Sequence, residues 1–227
     1  MGNPVVIIGS GLAGYAVARE LRKLNTELPI VMISADHGGF YSKPTLSNAL
    51  SSGKTPESIL NGDAVQMASQ LKISIRTHCR VAAIDQLGCA VTLVKGEKIF
   101  YDQLVLALGA DQVHLSLLGD GIEKILTIND LDDYKKFRDA LAGKRRVSII
   151  GAGLIGCEFA NDLATSGYHV DVIDISAQPL GRLLPPAGGA FIRQKLGESG
   201  VVFHLNATTQ SVDQVQKSIS ITFSDRA

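Results

Sequence analysis

The chain has 227 residues, of which 45% are hydrophobic and 19% charged. That is enough for one or two domains with a buried core, and it argues against disorder. The 22 basic residues balance 22 acidic ones, so no net field favours nucleic acid or an anionic membrane, and no apolar run approaches the roughly 18 to 20 residues that cross a bilayer.

Taken in chain order, Met1-Gly2-Asn3-Pro4 leads straight into an apolar strand, Val5-Val6-Ile7-Ile8, without the basic start and cleavage site of a secretory leader. Gly9-Ser10-Gly11-Leu12-Ala13-Gly14 follows. Ala13, Ala16, Val17, Leu21 and Leu24 then recur at helical spacing, with Asn25 as the stop. A second strand is predicted from Ile30 to Ile33. The same series returns further on. Val147-Ser148-Ile149-Ile150 leads into Gly151-Ala152-Gly153-Leu154-Ile155-Gly156, an offset of 142 residues (151 − 9). Leu154, Ile155, Phe159 and Leu163 keep helical spacing, Gly167 is placed to cap the end, and Val170 to Ile173 reads as the next strand. The strands lack polar alternation, as expected of strands buried on both faces of a parallel sheet. The predicted fold is α/β, with two Rossmann-like three-layer domains: residues 1–115, and residues 116–227 as an incomplete second one.

A single Gly-x-Gly-x-x-Gly is weak evidence, whereas two copies, each between a buried strand and an amphipathic helix, form a strong signal. The first glycine makes the tight turn, the second lets backbone approach a pyrophosphate, and the third allows helix and strand to pack closely. Unpaired N–H groups and the positive helix end then hold phosphate. A carboxylate at the end of the second strand can bind ribose hydroxyls and repel a 2′-phosphate. In the second copy it is Asp174, which favours NAD over NADP, with Arg182 close enough in sequence to keep NADP open. In the first copy the acid comes late, in Ser34-Ala35-Asp36, so the ribose contact is Asp36 or backbone at Ala35. Two such sites mean two cofactors, or one cofactor and a substrate dinucleotide.

Three cysteines, Cys79, Cys89 and Cys157, match neither a metal site nor a redox pair and suit a reducing compartment, the cytoplasm. Five histidines, His37, His78, His114, His169 and His204, have no ligand spacing, so no metal is expected. No cysteine lies between Asp36 and Asn61. Cys157 reads as a small packing residue.

Beyond the glycine motifs, Tyr41-Ser42-Lys43-Pro44-Thr45-Leu46-Ser47, Tyr101-Asp102-Gln103-Leu104-Val105-Leu106-Ala107-Leu108-Gly109-Ala110, the stretch GAGLIGCEFAND from Gly151 to Asp162, and Arg182-Leu183-Leu184-Pro185 resemble the pyridine-nucleotide-dependent flavoprotein reductases. Within that family the stretch from Gly151 to Asp162 and Arg182-Leu183-Leu184-Pro185 are especially similar to the rubredoxin–NAD reductases. The resemblance implies FAD in the first fold, held by Gly9, Ser10, Gly11, Leu12, Ala13 and Gly14, with Ala35 and Asp36 at the ribose and Val81 offering backbone to the adenine. It implies NADH in the second, at Gly151, Gly153, Leu154, Ile155, Gly156 and Asp174. Lys43 and Glu158 would meet near the flavin ring as the catalytic pair. The lysine would stabilise the reduced flavin and the carboxylate would position the lysine. By themselves the residues also permit a solvated loop charge at Lys43, and a first-turn helix acid at Glu158.

The implied activity is hydride transfer from NADH to FAD, then single electrons to rubredoxin as partner, feeding alkane hydroxylation. Alternatives are a reductase for a ferredoxin or a flavorubredoxin and, from another class, a non-catalytic NADH-binding sensor. The family continues past Ala227 with a second flavin segment and an interface domain. The sequence is therefore expected to be a truncated chain that binds FAD weakly or not at all and self-associates through uncovered apolar faces.

Overall fold

Four consecutive apolar residues, two of them β-branched valines and two isoleucines, form strand β1 (Val5–Ile8), and all four are buried. A computed structural model describes residues 2–113, 115–216 and 218–225. These fall into two compact units. One joins the residues up to Lys43 with Pro56–Asp111, and the other joins Pro44–Thr55 with the residues from Gln112 onward. The short segment 44–55 therefore belongs with the second unit, although it is embedded in the sequence of the first. His114, among the histidines named above, lies outside the described residues, as does the end of the chain from Arg226.

In the first unit, β1 leads through helix α1 (Leu12–Leu24) into strand β2 (Ile30–Ile33). Two short helices, α2 (Pro56–Ile59) and α3 (Ala64–Leu71), come before strand β3 (Ser74–Arg76). Asp63 caps α3 in a reciprocal box with Gln66, which satisfies two of the helix's free donors. Strands β4 (Val81–Asp85), β5 (Ala90–Leu93) and β6 (Lys98–Phe100) form an antiparallel meander before β7 (Gln103–Leu106). The main sheet has the order β3-β2-β1-β7. Its strands are parallel, with Val5 opposite both Ile30 and Gln103.

The period of two in a strand explains the uninterrupted apolar sequence. Val5 and Ile7 face Tyr15 and Ala18 of α1 and Met67 of α3, while Val6 and Ile8 face Val91, Leu93 and Tyr101 beneath the meander. Both faces of β1 are covered. The buried face of α1 differs from the sequence expectation. Gly14, Tyr15 and Ala18 are buried, with Val17 and Leu21 packed beside them, whereas Ala13, Ala16 and Leu24 face out. A large side chain with a polar tip can be buried when that tip is satisfied, and the Tyr15 hydroxyl donates to the Gly38 carbonyl.

In the second unit, α4 (Leu131–Ala140), capped by the Asp130 side chain, precedes strand β8 (Arg146–Ile150), helix α5 (Leu154–Thr165) and strand β9 (His169–Ile173). Helix α6 (Pro186–Glu198) then leads to β10 (Val201–His204), and an antiparallel hairpin of β11 (Ala207–Val215) and β12 (Ser218–Asp225) follows. The parallel sheet has the order β10-β9-β8. Gly167 closes α5 as expected: its N–H bonds the Ala164 carbonyl while the Tyr168 N–H bonds the Leu163 carbonyl, the Schellman pattern. Two expectations are corrected here. Strand β8 is only partly buried, because among the described residues it lies at the sheet edge with β9 alone beside it. On α5 the buried residues are Cys157, Phe159, Ala160, Asp162 and Leu163, while Leu154 and Ile155 are exposed.

Candidate nucleotide-binding turns and the α5 clamp

Each β-strand-to-helix turn is built by three glycines with separate tasks. Gly9 has φ +113° and Gly151 φ +109°, a region that side chains strongly disfavour. A Cβ on Gly14 would overlap the Gly9 carbonyl oxygen, and one on Gly156 would overlap that of Gly151, so the helix can approach its strand only without a side chain there. A Cβ on Gly11 or Gly153 would meet nothing within 4 Å, so the backbone at both positions is open to an incoming group. Gly11 and Gly153 are also the N-caps of α1 and α5, and neither helix start has a side-chain cap. Unsatisfied N–H donors, the positive end of a helix and a Cβ-free approach are what a pyrophosphate needs. The residues in both turns fit that group. Ser10 is buried, while Leu12 and Ala13 are exposed at the start of α1 and Leu154 and Ile155 at the start of α5.

The two strand-end carboxylates are held differently. Asp174 accepts the Ala152 N–H and the Ser176 N–H, each at 2.6 Å, and so braces the middle of its glycine turn directly. In the first copy Ser34 stands where Asp174 stands in the second, and its hydroxyl lies 2.6 Å from that of Ser10. Asp36 reaches back to this pair. Its Oδ1 accepts from Ser34, from Ser10 at 3.2 Å and from the Gly38 N–H at 2.8 Å. Burial alone would raise its pKa, but hydrogen bonds from Ser34 and Gly38, together with His37, outweigh it and hold the carboxyl below the usual range. Sequence reasoning missed Ser34. Aligning the two copies at their strand ends, Ile33 with Ile173, would have found it, because each pairs with the last residue of the preceding strand and Ser34 then falls opposite Asp174. Val81 begins β4, opposite Leu93.

Lys43 opens a 3₁₀ turn, Lys43–Asn48, as the last residue of the first unit before Pro44. Within the second unit, Glu158 on α5 accepts the Ser47 hydroxyl at 2.5 Å. Four residues on, Asp162 accepts the Leu50 N–H at 3.0 Å and the Ser51 N–H at 2.8 Å. On α4, Arg138 donates to the Lys54 carbonyl at 2.9 Å. Neither Ser47 nor Asp162 was a predicted site residue. The available signal was a second acid, four residues after Glu158, on a helix with no other charged residue.

Cys157 is buried with its thiol toward the Ala152 carbonyl. Burial, then the charges of Asp174 and Glu158, push its pKa up to about 11, so it is a protonated packing residue near neutrality and not a thiolate. Among the described residues no cluster of three His, Cys, Asp or Glu side chains could hold a metal, and no helix is long and apolar enough to cross a membrane.

The pattern of the pyridine nucleotide-disulphide oxidoreductase family matches residues 3–226. A rubredoxin-NAD(+) reductase of Acinetobacter baylyi is 50% identical over 218 residues, covering 94% of this chain and 56% of the relative. A nitric oxide reductase FlRd-NAD(+) reductase of Vibrio vulnificus is 33% identical over 225 residues, covering 99% and 59%. The crystal structure of NADH:rubredoxin oxidoreductase from Clostridium acetobutylicum superposes with a TM-score of 0.77 at 28% identity, covering 91% of this chain and 53% of that one. The chain thus spans a little over half the length of the curated relatives it matches.

Proposed function

The chain belongs to the pyridine nucleotide-disulphide oxidoreductase family, and from that premise we propose that the protein is an FAD-dependent reductase that draws electrons from NADH and delivers them to rubredoxin. The carrying observation is the pair of uncapped, Cβ-free glycine turns, which calls for two dinucleotides in one chain. When bound, FAD would accept a hydride from the nicotinamide and release its electrons one at a time. The family resemblance assigns FAD to the first turn, with Gly9 to Gly14 at the pyrophosphate, Asp36 or backbone at Ala35 at the ribose and Val81 at the adenine. NADH goes to the second, with Gly151, Gly153, Leu154, Ile155 and Gly156 at the pyrophosphate and Asp174 at the ribose. Lys43 would place a positive charge by the flavin ring, where it favours the reduced, negatively charged form. Glu158, held by Ser47, would serve the same step. Cys157, protonated and buried, is unsuited to a thiol relay, which favours an acceptor taking single electrons. The three free cysteines suit a reducing milieu, and we place the protein in the cytoplasm.

The relative at 50% identity supports rubredoxin as acceptor. The Vibrio relative supports a second reading, in which the acceptor is a flavorubredoxin. Reduction rates measured side by side with purified rubredoxin, flavorubredoxin and ferredoxin separate these. The first test is an absorption spectrum before and after anaerobic NADH. A visible flavin band that bleaches is expected; a colourless protein that still binds NADH would instead support a nucleotide sensor.

A further inference from the structure

We propose that Asp162 is a positioning residue for Glu158, holding segment 44–55 on α5 so that Ser47 presents its hydroxyl to the Glu158 carboxylate. This rests on the reading that Glu158 takes part in flavin reduction by NADH. Every contact involved lies within the second unit.

Asp162 is only 2% exposed. Burying a carboxylate is costly unless its oxygens are matched by good donors. Here each oxygen takes one backbone N–H from consecutive residues, Oδ2 from Leu50 and Oδ1 from Ser51. An asparagine would offer one acceptor and turn an NH₂ group toward the other donor, so the site asks specifically for a carboxylate. Leu46 and Ala49 are already buried and supply the non-directional part of the segment's attachment. What Asp162 adds is register. Ser47 lies three residues before Leu50, and Glu158 lies four before Asp162, on the same side of the helix. Fixing the amides of Leu50 and Ser51 against one turn of α5 therefore sets Ser47 against the preceding turn. There its hydroxyl approaches Glu158 at 2.5 Å and the Pro44 carbonyl at 3.1 Å. It has a single proton, and the shorter approach is to the carboxylate. Arg138 secures the far end of the segment through the Lys54 carbonyl. The helix that begins at the second glycine turn thus fixes the orientation of its own carboxylate through a loop drawn from more than 100 residues earlier.

The test is anaerobic stopped-flow reduction of the flavin-loaded protein by NADH, with amide hydrogen exchange at Leu50 and Ser51. Asp162→Asn is expected to accelerate exchange at those two amides. It should also slow the limiting reduction rate about tenfold, with half-saturation by NADH unchanged within about twofold, since the lost interaction serves the reacting step. In a Glu158→Gln background the same substitution is expected to slow the rate no further, because both act through one group. Additive slowing in the double variant, a wild-type rate in Asp162→Asn, or a matching rise in the half-saturation value would overturn the proposal. If Asp162→Asn does not accumulate as a folded flavoprotein, Ser47→Ala removes only the hydroxyl and is expected to reproduce the slowing; a wild-type rate there overturns it equally. Glu158→Gln reducing at the wild-type rate would refute the reading of Glu158 and the proposal with it, whereas slow Glu158→Gln beside fast Asp162→Asn refutes the positioning role alone.

Discussion

At Gly9 and Gly151 the backbone turns with nearly the same φ, +113° and +109°, yet the two turns sit in unlike surroundings. An added Cβ at Gly9 would overlap the Ala107 carbonyl just beyond β7, whereas at Gly151 it would meet nothing within 4 Å. The sequences are similar, and Gly11 and Gly153 also share nearly the same φ and ψ. What differs is the neighbouring strand. β1 is flanked by β2 and β7 and buried throughout, while among the described residues β8 has β9 alone and is partly exposed. A local motif sets the conformation of its turn, and the distant strand beside it sets how much a change there costs.

The sharpest way to break this comparison is to substitute both first glycines. Gly151→Ala carries the strain of a left-handed conformation, on the order of 1–2 kcal/mol. Gly9→Ala carries the same strain plus a clash with fixed backbone, a further 1–3 kcal/mol or so. Denaturant unfolding is expected to rank Gly9→Ala as the more damaging by that second amount. Equal losses would mean that β7 does not confine the first turn.

The carboxylates give a smaller but more chemical contrast. Asp174→Ala leaves the Ala152 and Ser176 amides without their acceptor, a loss of roughly 1–3 kcal/mol. It is expected to weaken NADH binding and relax discrimination against NADPH in a binding titration. An unchanged preference would move ribose recognition to another group, with Ser176 the nearest candidate. Asp36 differs by acting through two serines, and its pKa is held below the ordinary value. A carboxyl with a lowered folded pKa contributes stability that is fully present above its unfolded value, about 3.9. That contribution is lost as pH falls through the lower folded value. Asp36→Asn is therefore expected to flatten the acid limb of the stability–pH curve below pH ~4; an unaltered limb would show that the Asp36 carboxyl titrates alike in the folded and the unfolded chain.

The legible and the illegible parts of the molecule divide along the same line. β1, β2, the Asn25 stop, the Gly167 cap and both glycine turns are written within a dozen neighbouring residues, and the structure has them where the sequence puts them. Segment 44–55 is different. Its attachment is made by the carboxylates of Glu158 and Asp162 to one hydroxyl and two backbone amides, and a backbone amide leaves no trace in sequence. Tyr15 was passed over because an aromatic hydroxyl counts against burial until its acceptor, the Gly38 carbonyl, is known. The exposed Leu154 and Ile155 misled in the opposite sense. They keep the helical spacing of a core face, but they stand in the first turn of α5, beside Gly153, where an added Cβ would meet nothing within 4 Å.

That open space supplies the smallest expected change in stability. Gly11 and Gly153 have φ of −73°, a conformation any residue adopts, and open space where a Cβ would stand. Gly11→Ala and Gly153→Ala are therefore expected to unfold within about 0.5 kcal/mol of the parent, as ordinary surface substitutions do. If these positions are where pyrophosphates approach the backbone, a methyl group there would block the phosphate while the fold stays intact. Each substitution is then expected to lower the affinity for one dinucleotide about tenfold or more and leave the other unchanged: Gly11→Ala for FAD, Gly153→Ala for NADH. Flavin retention on purification and an NADH titration read the two independently. Loss of both ligands from either variant would mean the turns do not act separately, and retention of both would place the phosphates elsewhere, leaving the repeated glycine at these two positions without a function in binding.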